Sequence, residues 1–151
     1  MAYILQDPSI FGITLNLAQI YYLSVGREIA DKDYPTIKWA ISNNIVDNQF
    51  TKAAAEAGNI DCLIYLHEEG CVWDRETCEA AAFNGQLNCL KYLHEQGCPW
   101  DVETCRYAVS NGHLDCLKYA IEKGCGWDRY ICRCATDPHI RSYLQEIGLC
   151  G

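Results

Sequence analysis

The chain has 151 residues, half of them apolar and 21% charged, too hydrophobic for a disordered polymer and sufficient for one folded domain. Its formal net charge is −8, so it does not carry the excess of Lys and Arg that holds phosphate backbones and anionic bilayers, and nucleic acid and membrane are not expected partners. Eleven cysteines, an odd number with no recognisable secretory leader, lead to the expectation of a reducing, cytoplasmic setting.

Residues 9–26 contain no charge. No basic region precedes them, Gly12, Asn16 and Gln19 interrupt them, and Asp7 and Arg27 flank them, so they read as buried helices of an N-terminal cap rather than as a membrane span. Asp7-Pro8 is a helix start, and a second helical run covers about 17–30. Pro35 opens a further helix that runs through Trp39 and Ile41 and ends at Asn43-Asn44. Shifted by 26, Ile37-Lys38-Trp39-Ala40 falls on Leu63-Ile64-Tyr65-Leu66, so residues 1–45 read as a cap and a degenerate first repeat.

From residue 46 the chain matches itself at a shift of 27. Gly70, Gly97 and Gly124 fall in register; so do Trp73, Trp100 and Trp127, and Asp74, Asp101 and Asp128. Three cysteine columns follow the same period: Cys62, Cys89 and Cys116; Cys78, Cys105 and Cys132; Cys71, Cys98 and Cys125. A fixed period of this length is the mark of stacked supersecondary units. Residues 46–72, 73–99 and 100–126 are the repeats, each predicted to hold two helices, at about 75–83 and 87–96 in the second and 102–110 and 114–123 in the third. Asp74 and Asp101 are N-cap candidates, and the glycines are left-handed stops. The last unit, 127–151, lacks three residues where Asn111-Gly112-His113 stood, and its helix 139–147 has the polar side that a terminal cap needs. The whole chain is then one all-α domain.

Asn111-Gly112-His113-Leu114-Asp115-Cys116-Leu117-Lys118-Tyr119-Ala120-Ile121-Glu122-Lys123-Gly124 resembles the second half of an ankyrin repeat, whose consensus runs NGHLEVVKLLLEnGA. The family's Thr-Pro-Leu-His tetrapeptide is replaced here by Glu103-Thr104-Cys105-Arg106. The period falls about six residues short of the family's usual length, so the projecting hairpin is shortened. The Gly-Cys-x-Trp-Asp spacer is similar to that of the short ankyrin repeats of large DNA viruses and some protists, which widens the setting to a host cytoplasm. The resemblance implies a right-handed helix–turn–helix solenoid with helical caps and a role in binding another protein.

Repeats can be compared with one another. Fixed columns serve the shared scaffold; variable columns are released from it. The cysteine columns are expected to be free thiols packed as small apolar groups, since equivalent positions in neighbouring units sit about 10 Å apart, too far for a bridge. His67 and His94 each precede a cysteine by four residues, half of a zinc-type ligand set, but each half lies on its own repeat and Ile121 breaks the column. Metal and cofactors are therefore not expected. The Trp column is read as covering the spacer rather than as a stacking platform. Catalysis needs one singular arrangement, whereas every thiol neighbourhood here recurs, so no enzyme is expected.

The variable columns lie on the first helix of each unit, and residues four apart share a face. The resulting strip of candidate binding residues is Arg75, Glu79 and Phe83; Val102, Arg106 and Ser110; and Arg129, Tyr130 and Arg133. Arg and aromatic side chains dominate protein interfaces, and this selection predicts an acidic or mixed partner surface. The competing expectation is self-assembly, with a homodimer formed through the apolar residues 1–30; a Cys/His metal site is the third.

Overall fold

The computed structural model describes residues 35–44 and 48–151. The expectations for residues 1–34, including the cap helices and the dimerising segment, lie outside the described residues. Among the described residues the fold is all-helical, without a strand: α1 (Pro35–Ser42), α2 (Asn48–Glu56), α3 (Ile60–Glu68), α4 (Arg75–Phe83), α5 (Leu87–Glu95), α6 (Val102–Ser110), α7 (Leu114–Glu122), α8 (Tyr130–Cys134) and α9 (Pro138–Glu146).

The starts and stops follow from local chemistry. The Asp101 carboxylate accepts the Glu103 amide at 2.9 Å, and the Asn59 side chain accepts the Cys62 amide at 3.1 Å, each satisfying a donor that the first helical turn leaves open. Asp137 caps α9 with Pro138 behind it, accepting from the amides of His139 and Ile140 at 2.8 and 3.1 Å. At the other end, Cys98 N donates to Leu93 O across Gly97, which sits at φ +80, a conformation that any residue with a Cβ resists. The same closure recurs at Cys71 and Cys125.

The helices pack in series. First helices stack on one another in the order α2, α4, α6, α8, and second helices in the order α3, α5, α7, while α2, α4 and α6 each also pack on the second helix of their own unit. Alanine makes the close approach possible: Ala54 and Ala55 on α2 and Ala81 and Ala82 on α4 are buried almost completely. The larger apolar volume comes from the second helices, where Leu63, Leu66, Leu90, Leu93 and Leu117 are fully buried, and from Ile140 and Leu144 of α9. No helix among the described residues is long and apolar enough to cross a membrane.

The cysteines need one correction. Cys132 and Cys150 form a disulfide, with Cα atoms 5.7 Å apart. The distance argument concerned equivalent positions in neighbouring units, whereas this bridge lies inside the last unit, between α8 and the residues that follow α9. Nine other described cysteines are free, seven of them buried, and burial pushes the Cys89 and Cys116 thiols up to about 11.

Candidate functional site

The row of first helices carries all nine candidate residues: α4 carries Arg75, Glu79 and Phe83, α6 carries Val102, Arg106 and Ser110, and Arg129, Tyr130 and Arg133 lie at or in α8. None is buried. Phe83 and Tyr130 stand 48% and 52% exposed, two of the five large apolar side chains that lie outside the core among the described residues.

The arginines divide into two groups. Arg75 donates from Nη1 to the Asp101 carboxylate at 3.3 Å and lies 3.9 Å from Glu79. Arg106 is ion-paired with Glu103 on its own helix and with Asp128 ahead of α8, and its guanidinium covers the Tyr130 ring at 5.2 Å. Lys52 reaches the Glu76 carboxylate at 3.1 Å. These pairs join successive units, Lys52 to Glu76, Arg75 to Asp101 and Arg106 to Asp128, so Arg75 and Arg106 serve the stack rather than projecting as unpaired cations. Arg129 and Arg133 are exposed and make no ion pair among the described residues.

Between α2, α4 and α6 the row opens into a cavity of about 260 Å³. Phe83 and Tyr107 form its aromatic wall, their rings edge-to-face with centroids 5.7 Å apart. Glu56, Glu76 and Glu79 face it together with the one cation Lys52, which is already held by Glu76. Burial, then the nearby Asp101, raises the Glu79 carboxyl above the usual carboxylate range, with Arg75 opposing them. An aromatic wall beside three carboxylates is a site for a positive charge: ring faces and carboxylates both attract a cation, the more so where water is partly excluded. His113 of the following unit hydrogen-bonds through Nε2 to the Phe83 carbonyl at 2.9 Å, fixing the end of α4 from which the Phe83 ring projects.

Residue comparison between repeats selects Glu79 and Phe83 but passes over Tyr107. The signal was present: Tyr107 occupies the column of Ala53 and Ala80, and it departs from that column as sharply as Phe83 departs from Glu56 and Ser110. Glu56 and Glu76 lie on first helices as well, and the stacking of α2 on α4 brings them to one opening.

The His and Trp columns turn out to join neighbouring units. His67 lies against Trp73, with ring centroids 4.1 Å apart, and its Nδ1 hydrogen-bonds to the Tyr92 hydroxyl at 2.9 Å. His94 repeats this with Trp100 at 4.0 Å and Tyr119 at 3.0 Å. One ring nitrogen of each histidine, Nδ1, is thus engaged with a tyrosine of the next unit. Where Ile121 replaces the histidine, Trp127 loses that cover and stands 42% exposed. No group of three or more His, Cys, Asp and Glu able to hold a metal ion occurs among the described residues.

No protein-family model matches the chain, and no curated protein sequence matches it.

Proposed function

We propose that this chain is a non-catalytic ankyrin-type solenoid that binds another protein along its stacked first helices, as a competitor or adaptor. The cavity bounded by Glu56, Glu76, Glu79, Phe83 and Tyr107 supports this reading most directly, because it joins exposed aromatic area to an excess of carboxylates over cations on the face where the repeats differ. The anchor it suits is a Lys or Arg side chain of the partner, its methylenes against Phe83 and its charge among the carboxylates. That reverses the partner chemistry expected from the arginine count alone, since Arg75 and Arg106 are already neutralised within the stack. Tyr130, Arg129 and Arg133 extend the face beyond the cavity and suit a second, acidic or polar contact.

Panning the full chain against a random peptide library tests this reading. Peptides with a Lys or Arg beside an apolar or aromatic residue should be enriched, and they should lose binding to Glu79→Gln and to Phe83→Ala while retaining it with Gln145→Ala on the exposed side of α9. Enrichment of acidic peptides, or selected peptides indifferent to both cavity substitutions, would reject the cavity as the anchor site.

A further inference from the structure

One pair of positions is brought together in every unit: the middle of the first helix and the segment that follows the second. In the unit 46–72 the pair is joined by an ordinary hydrogen bond, from the Thr51 hydroxyl to Val72 O at 3.0 Å. In the last unit it is joined covalently, Cys132 to Cys150. The two units between carry a thiol at both places. Cys78 on α4 and Cys105 on α6 fall in the column of Cys132, and Cys98 and Cys125 follow the glycines that end α5 and α7. Cys150 lies one residue further along than Cys98 and Cys125, after Gly148 and Leu149. All four sulfurs lie in the buried core, and the neighbouring exit thiol together with burial pushes Cys78 and Cys105 above the ordinary thiol range. The exit thiols are held in the same way, Cys98 Sγ 3.2 Å from Asp74 O and Cys125 Sγ 3.1 Å from Asp101 O.

We propose that Cys78–Cys98 and Cys105–Cys125 are oxidisable dithiol sites, each closing to an intra-unit disulfide that repeats the Cys132–Cys150 bridge. The oxidant class is a low-molecular-weight disulfide. The exit cysteine attacks first, as its thiolate: Cys125 and Cys98 sit at 3% and 4% exposure, whereas Cys105 and Cys78 are wholly buried. The neighbouring Cys105 thiol favours the Cys125 thiolate and holds its titration below the ordinary thiol range, while the same pairing and burial push Cys105 up. Attack breaks the oxidant's S–S bond, forms a mixed disulfide at Cys125 and releases one thiolate. Cys105 then gives its proton to solvent and attacks the Cys125 sulfur, expelling the second thiolate. The protein dithiol has lost two electrons and two protons, and the oxidant has become two thiols. Local opening of the short spacer after Gly124 admits the oxidant.

The product has a structural consequence. Each bridge ties a first helix to the exit of its own second helix, so oxidation staples single units without linking neighbours. The unit 46–72, with Thr51 opposite Cys71, lacks the second thiol and is a built-in control.

The experiment equilibrates the full chain in glutathione buffers of increasing oxidised fraction, quenches in acid and alkylates after unfolding. Linked peptides are then mapped by mass spectrometry without reduction. The expected result is Cys78 linked to Cys98 and Cys105 linked to Cys125, alongside Cys132–Cys150, with Cys71 alkylated throughout. In Cys125→Ser the Cys105 thiol should become fully alkylated while Cys78–Cys98 still forms. Thr51→Cys, at unchanged helicity, should add a fourth linked pair with Cys71. Oxidised protein should also unfold at higher urea than reduced protein, and Cys98→Ser/Cys125→Ser should lose most of that shift. Full alkylation of Cys78, Cys98, Cys105 and Cys125 in buffers that oxidise Cys132–Cys150 would overturn the proposal. So would linkage between units, such as Cys98 to Cys125.

Discussion

Gly85 and Gly97 both end helices at positive φ, +68 and +80, but their surroundings differ. A Cβ on Gly97 would meet nothing within 4 Å, whereas one on Gly85 would lie 2.5 Å from Nδ1 of His113, the residue that also holds the Phe83 carbonyl. Gly97→Ala should therefore cost only the left-handed backbone penalty, about 1 kcal/mol, and Gly85→Ala clearly more, because the imidazole must move as well. Urea unfolding of the two variants separates these outcomes, and equal losses would deny His113 its place. The His94–Tyr119 bond is a second test at this scale. Tyr119 is 8% exposed, so Tyr119→Phe leaves a ring nitrogen without its partner and should cost about 1 kcal/mol. In a His94→Leu background the same change should cost nearly nothing, and a double-mutant cycle in urea reads the difference. The glycines were readable from their register alone. The histidines were not: their spacing to cysteine resembled ligand pairs, while the tyrosines they actually meet lie on the next unit, 25 residues away.

Single helices were the most legible level, because caps, glycines and the period act within one turn. The boundaries 75–83 and 102–110 recur as α4 and α6, and Pro35–Ser42 ends one residue short of the Asn43-Asn44 stop, where Asn44 adopts φ 55. What linked the helices was less so. Ion pairs between units depend on long side chains crossing from one helix to the next cap, and a column of residues does not say whether an arginine points outward or sideways. The Arg106–Asp128 link between α6 and the start of α8 is such a case. Its hydrogen bond from Arg106, the largest influence, holds the Asp128 carboxyl below the ordinary carboxylate range. The sign follows: stability from this pair is complete above the unfolded pKa, about 3.9, and disappears as pH falls through the lower folded value. Both groups are only partly buried, so the effect is small and screened by salt. Arg106→Gln should flatten the acid limb of the stability curve below about pH 4 while leaving its slope near neutrality unchanged; an unaltered acid limb would remove the pair from the account. The bridge Cys132–Cys150 belongs to this level too, since spacings of 20, 20 and 18 residues between first-helix and exit cysteines were present in the chain. A register between repeats relates equivalent positions and carries no sign of which partners meet inside one unit.

For the whole molecule, the central claim is that successive units meet through the same chemistry, which leaves only departures from the pattern available for recognition. The contacts of unit 46–72 with its successor can be traced forward. Asn48 and Lys52 meet Asp74 and Glu76, and His67 meets Trp73 and Tyr92. One period later the same positions hold Asp101, Glu103, Trp100 and Tyr119. Removing residues 73–99 joins Val72 to Trp100 and offers unit 46–72 an equivalent neighbour, while deleting Glu79, Phe83 and most of the acidic cavity. Stability in such an array is a sum of unit and interface terms, so one of each is lost and the remainder stays cooperative. The most direct test is urea unfolding of this deletion variant followed by far-ultraviolet circular dichroism. The account predicts native-like helical signal per residue and a single cooperative transition at lower urea than the full chain. A variant without helical signal, or one that melts gradually with no transition, would contradict it.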